Sequence, residues 1–174
     1  MSSIIIADYD PTWPTKFAEE KACILTAADD YIEDIQHIGS TSVPGLGAKP
    51  IIDIMVGLRE LSLVEKCVPP LQTLGYEYMG EYGIPERHYF RKPDNDSWTE
   101  RTHQIHMVVK GSDFWQRHLL FRDYLRLHPE DARQYYLLKK ALALKFDAGE
   151  DYTDAKTEFI ELIIRAATNG GILT

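Results

Sequence analysis

One carboxylate interrupts an otherwise apolar run, Asp53 in Ile51-Ile-Asp-Ile-Met-Val56, and a hydroxyl-rich turn, His37-Ile-Gly-Ser-Thr-Ser42, lies just before it. Twelve residues separate Ser40 from Asp53. Gly39 can take backbone conformations closed to other residues, and Ser40 and Thr41 add hydroxyl donors beside the amides of a turn, a corner that suits an anion. A carboxylate in the middle of an apolar strand costs free energy unless it is paired, hydrogen-bonded or bound to a cation. Side by side, the two features suit phosphate next to a metal. The same residues also admit a plainer arrangement, a tight turn whose hydroxyls cap a short helix and a carboxylate that anchors it.

Partners for Asp53 come from other strands. In Gln104-Ile-His-Met-Val-Val109, strand alternation puts Gln104, His106 and Val108 on one face and Ile105, Met107 and Val109 on the other. His106, and His37 before the turn, are therefore the expected metal ligands beside Asp53. Such a set suits Zn, Mn or Fe better than Mg. A buried histidine hydrogen-bonded to Asp53 satisfies the same pattern without a metal.

Positive charge for a phosphate is expected from Lys49, Arg87, Arg122 and Lys139. Helical spacing puts Arg122 on the face of Trp115, Leu119 and Arg126, and Lys139 on that of Tyr135, Leu142 and Phe146. Alternatively, their stems pack on apolar surface while their heads reach water or a carboxylate such as Asp123. Two look-alikes are set aside. Gly45-Leu-Gly-Ala-Lys-Pro50 lacks the first glycine of a Walker A loop and has Pro50 in place of its Ser or Thr. His103 and His106 lie on opposite sides of a strand and lack the glutamate of a zinc protease.

The elements that must hold these groups follow from periodicity. Residues 3–7 read as an edge strand, and 10–29 as a helix capped by Asp10 with Pro11 at its first position. Strands precede and follow the Gly39 turn, with Ile32, Ile35 and Ile38 in the first and 51–56 as the second. Residues 61–74 form a helix closed by Gly75, 76–79 a strand, and 87–91 and 102–109 two antiparallel strands joined by the polar loop 92–101. Three helices complete the chain, over about 112–127, 129–146 and 152–167, with a break at Gly149. Strands mixed with helices in the first two-thirds and helices alone afterwards imply an α+β, mixed α/β domain.

With 174 residues, 44% of them hydrophobic, the chain reads as one domain, 1–174, with a real core. The net charge of −8 argues against long nucleic acids as partners and leaves a small phosphate-bearing ligand or nucleotide. Two cysteines without metal spacing, Cys23 and Cys67, an N-terminus unlike a signal peptide, and no long apolar run make the cytoplasm the expected compartment and a membrane an unexpected partner.

The block from His37 to Val56 resembles the signature of the GrpB family, which is assigned to the nucleotidyltransferase superfamily. So do Tyr9-Asp-Pro-Thr-Trp13, Gly83-Ile-Pro-Glu-Arg87, Arg101-Thr-His-Gln-Ile-His-Met-Val-Val109, Trp115, Phe121-Arg-Asp-Tyr-Leu-Arg126, Tyr135, Lys139, Tyr152 and Lys156. The resemblance implies a nucleotidyltransferase-like mixed sheet with packed helices and a helical C-terminal segment. It also implies phosphate held at Gly39, Ser40 and Thr41, with Asp53 as the catalytic and metal-binding carboxylate and a divalent cation, Mg or Mn ahead of Zn. One departure stands out. Members of the superfamily resemble each other in a second acid two residues after the first, and here that position is Met55. Two functions follow: an enzyme of the nucleotidyltransferase type, or a binding or folding-assistance module with a protein partner, like the GrpB domains fused to dephospho-CoA kinase.

Overall fold

The computed structural model describes residues 4–146 and 150–170. Helix α1, Trp13–Ala28, points Trp13, Ile24 and Ala28 inward. It starts two residues later than expected: Asp10 Oδ1 accepts from the Thr12 amide at 2.8 Å and shapes the preceding turn, and Pro14 occupies the first turn. Strand β1, Ile32–Ile38, and strand β2, Ile52–Leu58, flank the Gly39 turn, and helix α2, Val64–Thr73, follows. Strands β3, Glu77–Tyr78, β4, His88–Lys92, and β5, His103–Val109, then lead into helices α3, Asp113–Leu127, and α4, Pro129–Ala143. Short α5, Glu150–Asp154, and α6, Thr157–Thr168, come last.

The five strands make a mixed sheet in the order β1-β2-β5-β4-β3, parallel between β2 and β5 and antiparallel elsewhere. This is the expected mixed α/β class. Register fixes the two faces: Ile38 lies opposite Asp53, Asp53 opposite Gln104, and Met55 opposite His106. On the other face Ile35, Ile54, Val56, Ile105 and Phe90 form the larger core with α1 and α2.

The Asp53 face is covered by α3, whose Trp115 packs with Ile38, Met55 and Val108. Gly57 permits this approach, since a Cβ there would lie 2.7 Å from the indole ring. A third layer joins Val43 and Leu46, from the segment after the turn, to Leu125, Tyr135 and Ile163 of the C-terminal helices. Those helices are thereby fastened next to the open end of β2.

Three further expectations need correction. Of the edge strand over 3–7, Ser3 lies outside the described residues and only Ala7 pairs, in an isolated bridge to Ala48 with N···O distances of 2.9 Å. Helix α4 ends at Ala143 rather than 146. The helix expected over 152–167 is interrupted: the chain tightens to a Lys156 N to Thr153 O bond between α5 and α6, turning both Tyr152 and Lys156 inward. Gly149 is outside the described residues. No helix among the described residues is long and apolar enough to cross a membrane.

Candidate functional site

A cleft of about 190 Å³ opens between the end of β2 and the C-terminal helices, and its lining includes Ser40, Asp53, Lys49, Lys139, Tyr152 and Lys156. Its floor is the Gly39 turn. Gly39 has φ of 71°, and a Cβ on it would sit 2.6 Å from Asp53 Oδ2, so both conformation and contact demand glycine. The turn continues as a short helical turn, Ser40–Ser42, in which the Ser42 hydroxyl donates to the Gly39 carbonyl. Ser40 reaches toward the Tyr135 phenol and partly offsets the upward push that burial gives that group.

The walls are cationic. Lys139, on α4, is 3% exposed, donates to the Gly47 carbonyl and lies over the Tyr135 ring. Lys156 lies 4.3 Å from the Tyr152 ring centroid, and Lys49 sits 4.5 Å from that ring and 5.2 Å from the Trp98 ring. Among the described residues no carboxylate forms a salt bridge with any of the three. Burial, with Lys156 and Lys49 as like-charged neighbours, brings Lys139 down to about 7. Burial and Lys49 bring Lys156 to about 8, opposed by Asp53, and burial lowers Lys49, again opposed by Asp53. Three crowded ammonium groups beside one carboxylate make a place that gains from an anion.

At the other side of Asp53, parallel pairing of β2 with β5 brings His106 Nε2 to 3.5 Å from Asp53 Oδ1. That oxygen is buried and makes no hydrogen bond among the described residues. Arg87, 5% exposed, approaches His106 from behind, with Nη1 at 3.0 Å from Nδ1, and anchors itself on the carbonyls of Glu81 and Tyr82. A guanidinium only donates, so Nδ1 accepts and the ring proton belongs on Nε2, facing Asp53. A ring in that tautomer turns an N–H toward the carboxylate, not a lone pair toward a metal. Met55 is fully buried under Trp115 and supplies no oxygen ligand. No group of three or more His, Cys, Asp or Glu among the described residues is arranged to hold a metal ion. The donor set does not fit the two-metal pair that the superfamily pattern implies, nor a His–carboxylate centre.

The other expected site residues divide. Ser40, Lys49, Asp53 and Lys139 line the cleft, and Gly39 packs against the Asp53 carboxylate. Thr41 lines it but commits its hydroxyl elsewhere, donating to the Ile51 carbonyl at 3.4 Å and accepting from His37 Nε2 at 2.9 Å. His37 faces the opposite side of the sheet, in register with Ile54 and stacked on Phe17, and burial brings it down to about 4. Arg122 is not brought to the cleft: it spans from Asp123 to Gln36 and the His37 carbonyl, tying α3 to β1. Arg87 backs His106 instead of lining the cleft. Tyr152 and Lys156 also line the cleft without having been among the expected site residues, and their place in the GrpB resemblance was the available signal.

Residues 3–166 match the family described as GrpB protein. UPF0157 protein YqkA of Bacillus subtilis is 42% identical over 154 residues, covering 88% of this chain and 44% of that protein, so the chain spans less than half of that relative's length. A dephospho-CoA kinase of Mycolicibacterium paratuberculosis is 26% identical over 163 residues, covering 82% of this chain and 40% of that one. The crystal structure of GrpB from Enterococcus faecalis superposes with a TM-score of 0.85 and 38% identity, covering 95% of this chain and 98% of that one. A Cid1 poly(U) polymerase bound to MgGTP matches with a TM-score of 0.52 and 15% identity over 77% of this chain and 43% of that one, a likeness of fold. The family match over nearly the whole chain places it in the GrpB family, with a nucleotidyltransferase-like fold.

Proposed function

We propose that the cleft between β2 and the C-terminal helices binds a nucleotide or another small phosphate-bearing ligand. The observation that carries the reading is the convergence of Lys49, Lys139 and Lys156, without carboxylate salt bridges among the described residues, on the Gly39–Ser40 turn. Phosphate oxygens supply the negative charge that these ammonium groups lack. Ser40 offers a hydroxyl beside them. Among the described residues Asp53 is the one carboxylate lining the cleft, so it is the candidate to take the proton of an acceptor hydroxyl that attacks the α-phosphorus of a bound nucleoside triphosphate as pyrophosphate leaves. The fold of the Cid1 polymerase adds weight to a nucleotide over a simpler phosphate, by fold alone.

Calorimetric titration with ATP, CTP, GTP, UTP and inorganic tripolyphosphate tests this. Wild type should bind at least one of them, and Lys139→Met and Lys156→Met should each weaken that binding about tenfold, the loss of roughly one charge-assisted contact. Binding untouched by both substitutions would remove the cleft from the account.

A second reading, a binding or folding-assistance module for a protein partner, is favoured by one specific observation. The position of the superfamily's second acid is Met55, sealed beneath Trp115, which removes a group that nucleotidyl transfer ordinarily uses. The dephospho-CoA kinase relative, more than twice the length of the matched part, is the context in which such a module would act. Co-expression with a dephospho-CoA kinase lacking its own GrpB-like part, scored by soluble kinase yield, would support this reading if yield rises and oppose it if yield is unchanged. For either function the chain is proposed to work in the cytoplasm.

A further inference from the structure

We infer that the cleft holds its phosphates through ammonium groups alone, with no divalent cation bridging the ligand to Asp53. The inference rests on the phosphate-binding reading above and concerns how the same site works. Three observations support it independently.

The first is steric. The place where a second acid would project from β2 is occupied: Met55 is fully buried, and the Trp115 indole is let in by Gly57, where a Cβ would meet the ring at 2.7 Å. The second concerns donors. Arg87 holds His106 with its Nε2 proton toward Asp53 at 3.5 Å, so the imidazole presents hydrogen, not a lone pair, to the space beside the carboxylate. The third is charge. Lys49, Lys139 and Lys156 already bring three ammonium groups to one cleft lined by a single carboxylate among the described residues, and a dication there would meet them as like charges.

Asp53 then has a different role from that of a metal ligand. It opposes the desolvation of Lys49 and Lys156 and so favours their charged forms. Toward an incoming polyanion it is a repelling group, held in place by the packing of Gly39 against it. Removing its charge should strengthen polyphosphate binding at a pH where every lysine is protonated. A metal ligand would show the opposite sign.

The experiment is calorimetric titration of wild type and Asp53→Asn with inorganic tripolyphosphate at pH 6, first in EDTA and then in excess Mg²⁺ or Mn²⁺, with thermal melts of both proteins. The expected result is binding in EDTA, weakening when the cation complexes the polyphosphate, and about threefold or greater tightening in Asp53→Asn. Wild-type binding that occurs only with Mg²⁺ or Mn²⁺ overturns the inference while leaving the phosphate reading intact. So does an Asp53→Asn protein that melts like wild type yet binds more weakly. Should Asp53→Asn fail to fold, the comparison of EDTA with divalent cation on wild type decides alone. No binding by wild type under any condition overturns both the inference and the reading beneath it.

Discussion

The two faces of the sheet bury charge in opposite ways. On the α1 face, Glu20 is 7% exposed and surrounded by donors: the Tyr76 hydroxyl at 2.8 Å, Lys92 Nζ at 3.0 Å and, farther off, His103 Nε2 at 3.9 Å. On the cleft face three lysines crowd together without a salt bridge among the described residues, and Asp53 keeps one oxygen out of any hydrogen bond there. A buried charge with partners fastens one element to another. Buried charge without them is held at a cost by the rest of the fold, the usual situation of a binding site. The contrast separates structural from functional ionisable residues more cleanly than residue type does.

The largest effects should come from the cores that hold both faces. Trp13, 1% exposed, and Trp115, 5% exposed, should each cost about 3–5 kcal/mol on replacement by alanine, as loss of a buried aromatic does. Chemical denaturation measures this, and Trp115→Ala should also uncover Met55 and Gly57 next to the cleft.

The contrast itself predicts a smaller pair of effects with opposite signs. Glu20→Gln leaves the half-buried Lys92 beside a neutral amide at a buried position and should destabilise by about 1–3 kcal/mol. Lys156→Met removes an ammonium that has no salt bridge among the described residues and should leave the melting temperature unchanged or raised. Equal losses in both variants would erase the distinction between the faces.

Smallest is a difference in pH dependence. The folded value of Lys156, about 8, is below its ordinary 10.5, so between these values the unfolded chain binds more protons and stability rises with pH. Well below pH 8, the cost of the charged form is fully present. Wild type should therefore gain stability relative to Lys156→Met as pH increases from about 8 to about 10, by urea denaturation at each pH. A constant difference would mean that Lys156 is not desolvated.

The sequence made some of this legible and hid the rest, for physical reasons. Alternation in 51–56 and 104–109 was enough to put Asp53, Met55 and His106 on shared faces, because strand periodicity is local. Strand order was not local, so the parallel pairing that brings His106 to 3.5 Å from Asp53 emerged only from the sheet. Helical spacing showed which face Arg122 occupies, yet not that its guanidinium would end on Gln36 and a β1 carbonyl. His37 was placed near Asp53 by sequence proximity, whereas register turned it to the opposite face. Lys156 lies 103 positions beyond Asp53 in the chain, and its inward turn depends on a break between α5 and α6 that a continuous apolar pattern concealed.

The central claim is that Lys139 and Lys156 are desolvated, mutually repelling groups awaiting an anion. Nuclear magnetic resonance of protein carrying carbon-13 at lysine Cε follows each ammonium through its titration, with assignments from Lys139→Met and Lys156→Met. In the free protein these two signals should titrate near 7 and near 8, and both should move back toward 10.5 when tripolyphosphate is added. Titration of both at 10.5 in the free protein, or midpoints indifferent to tripolyphosphate, would contradict the account.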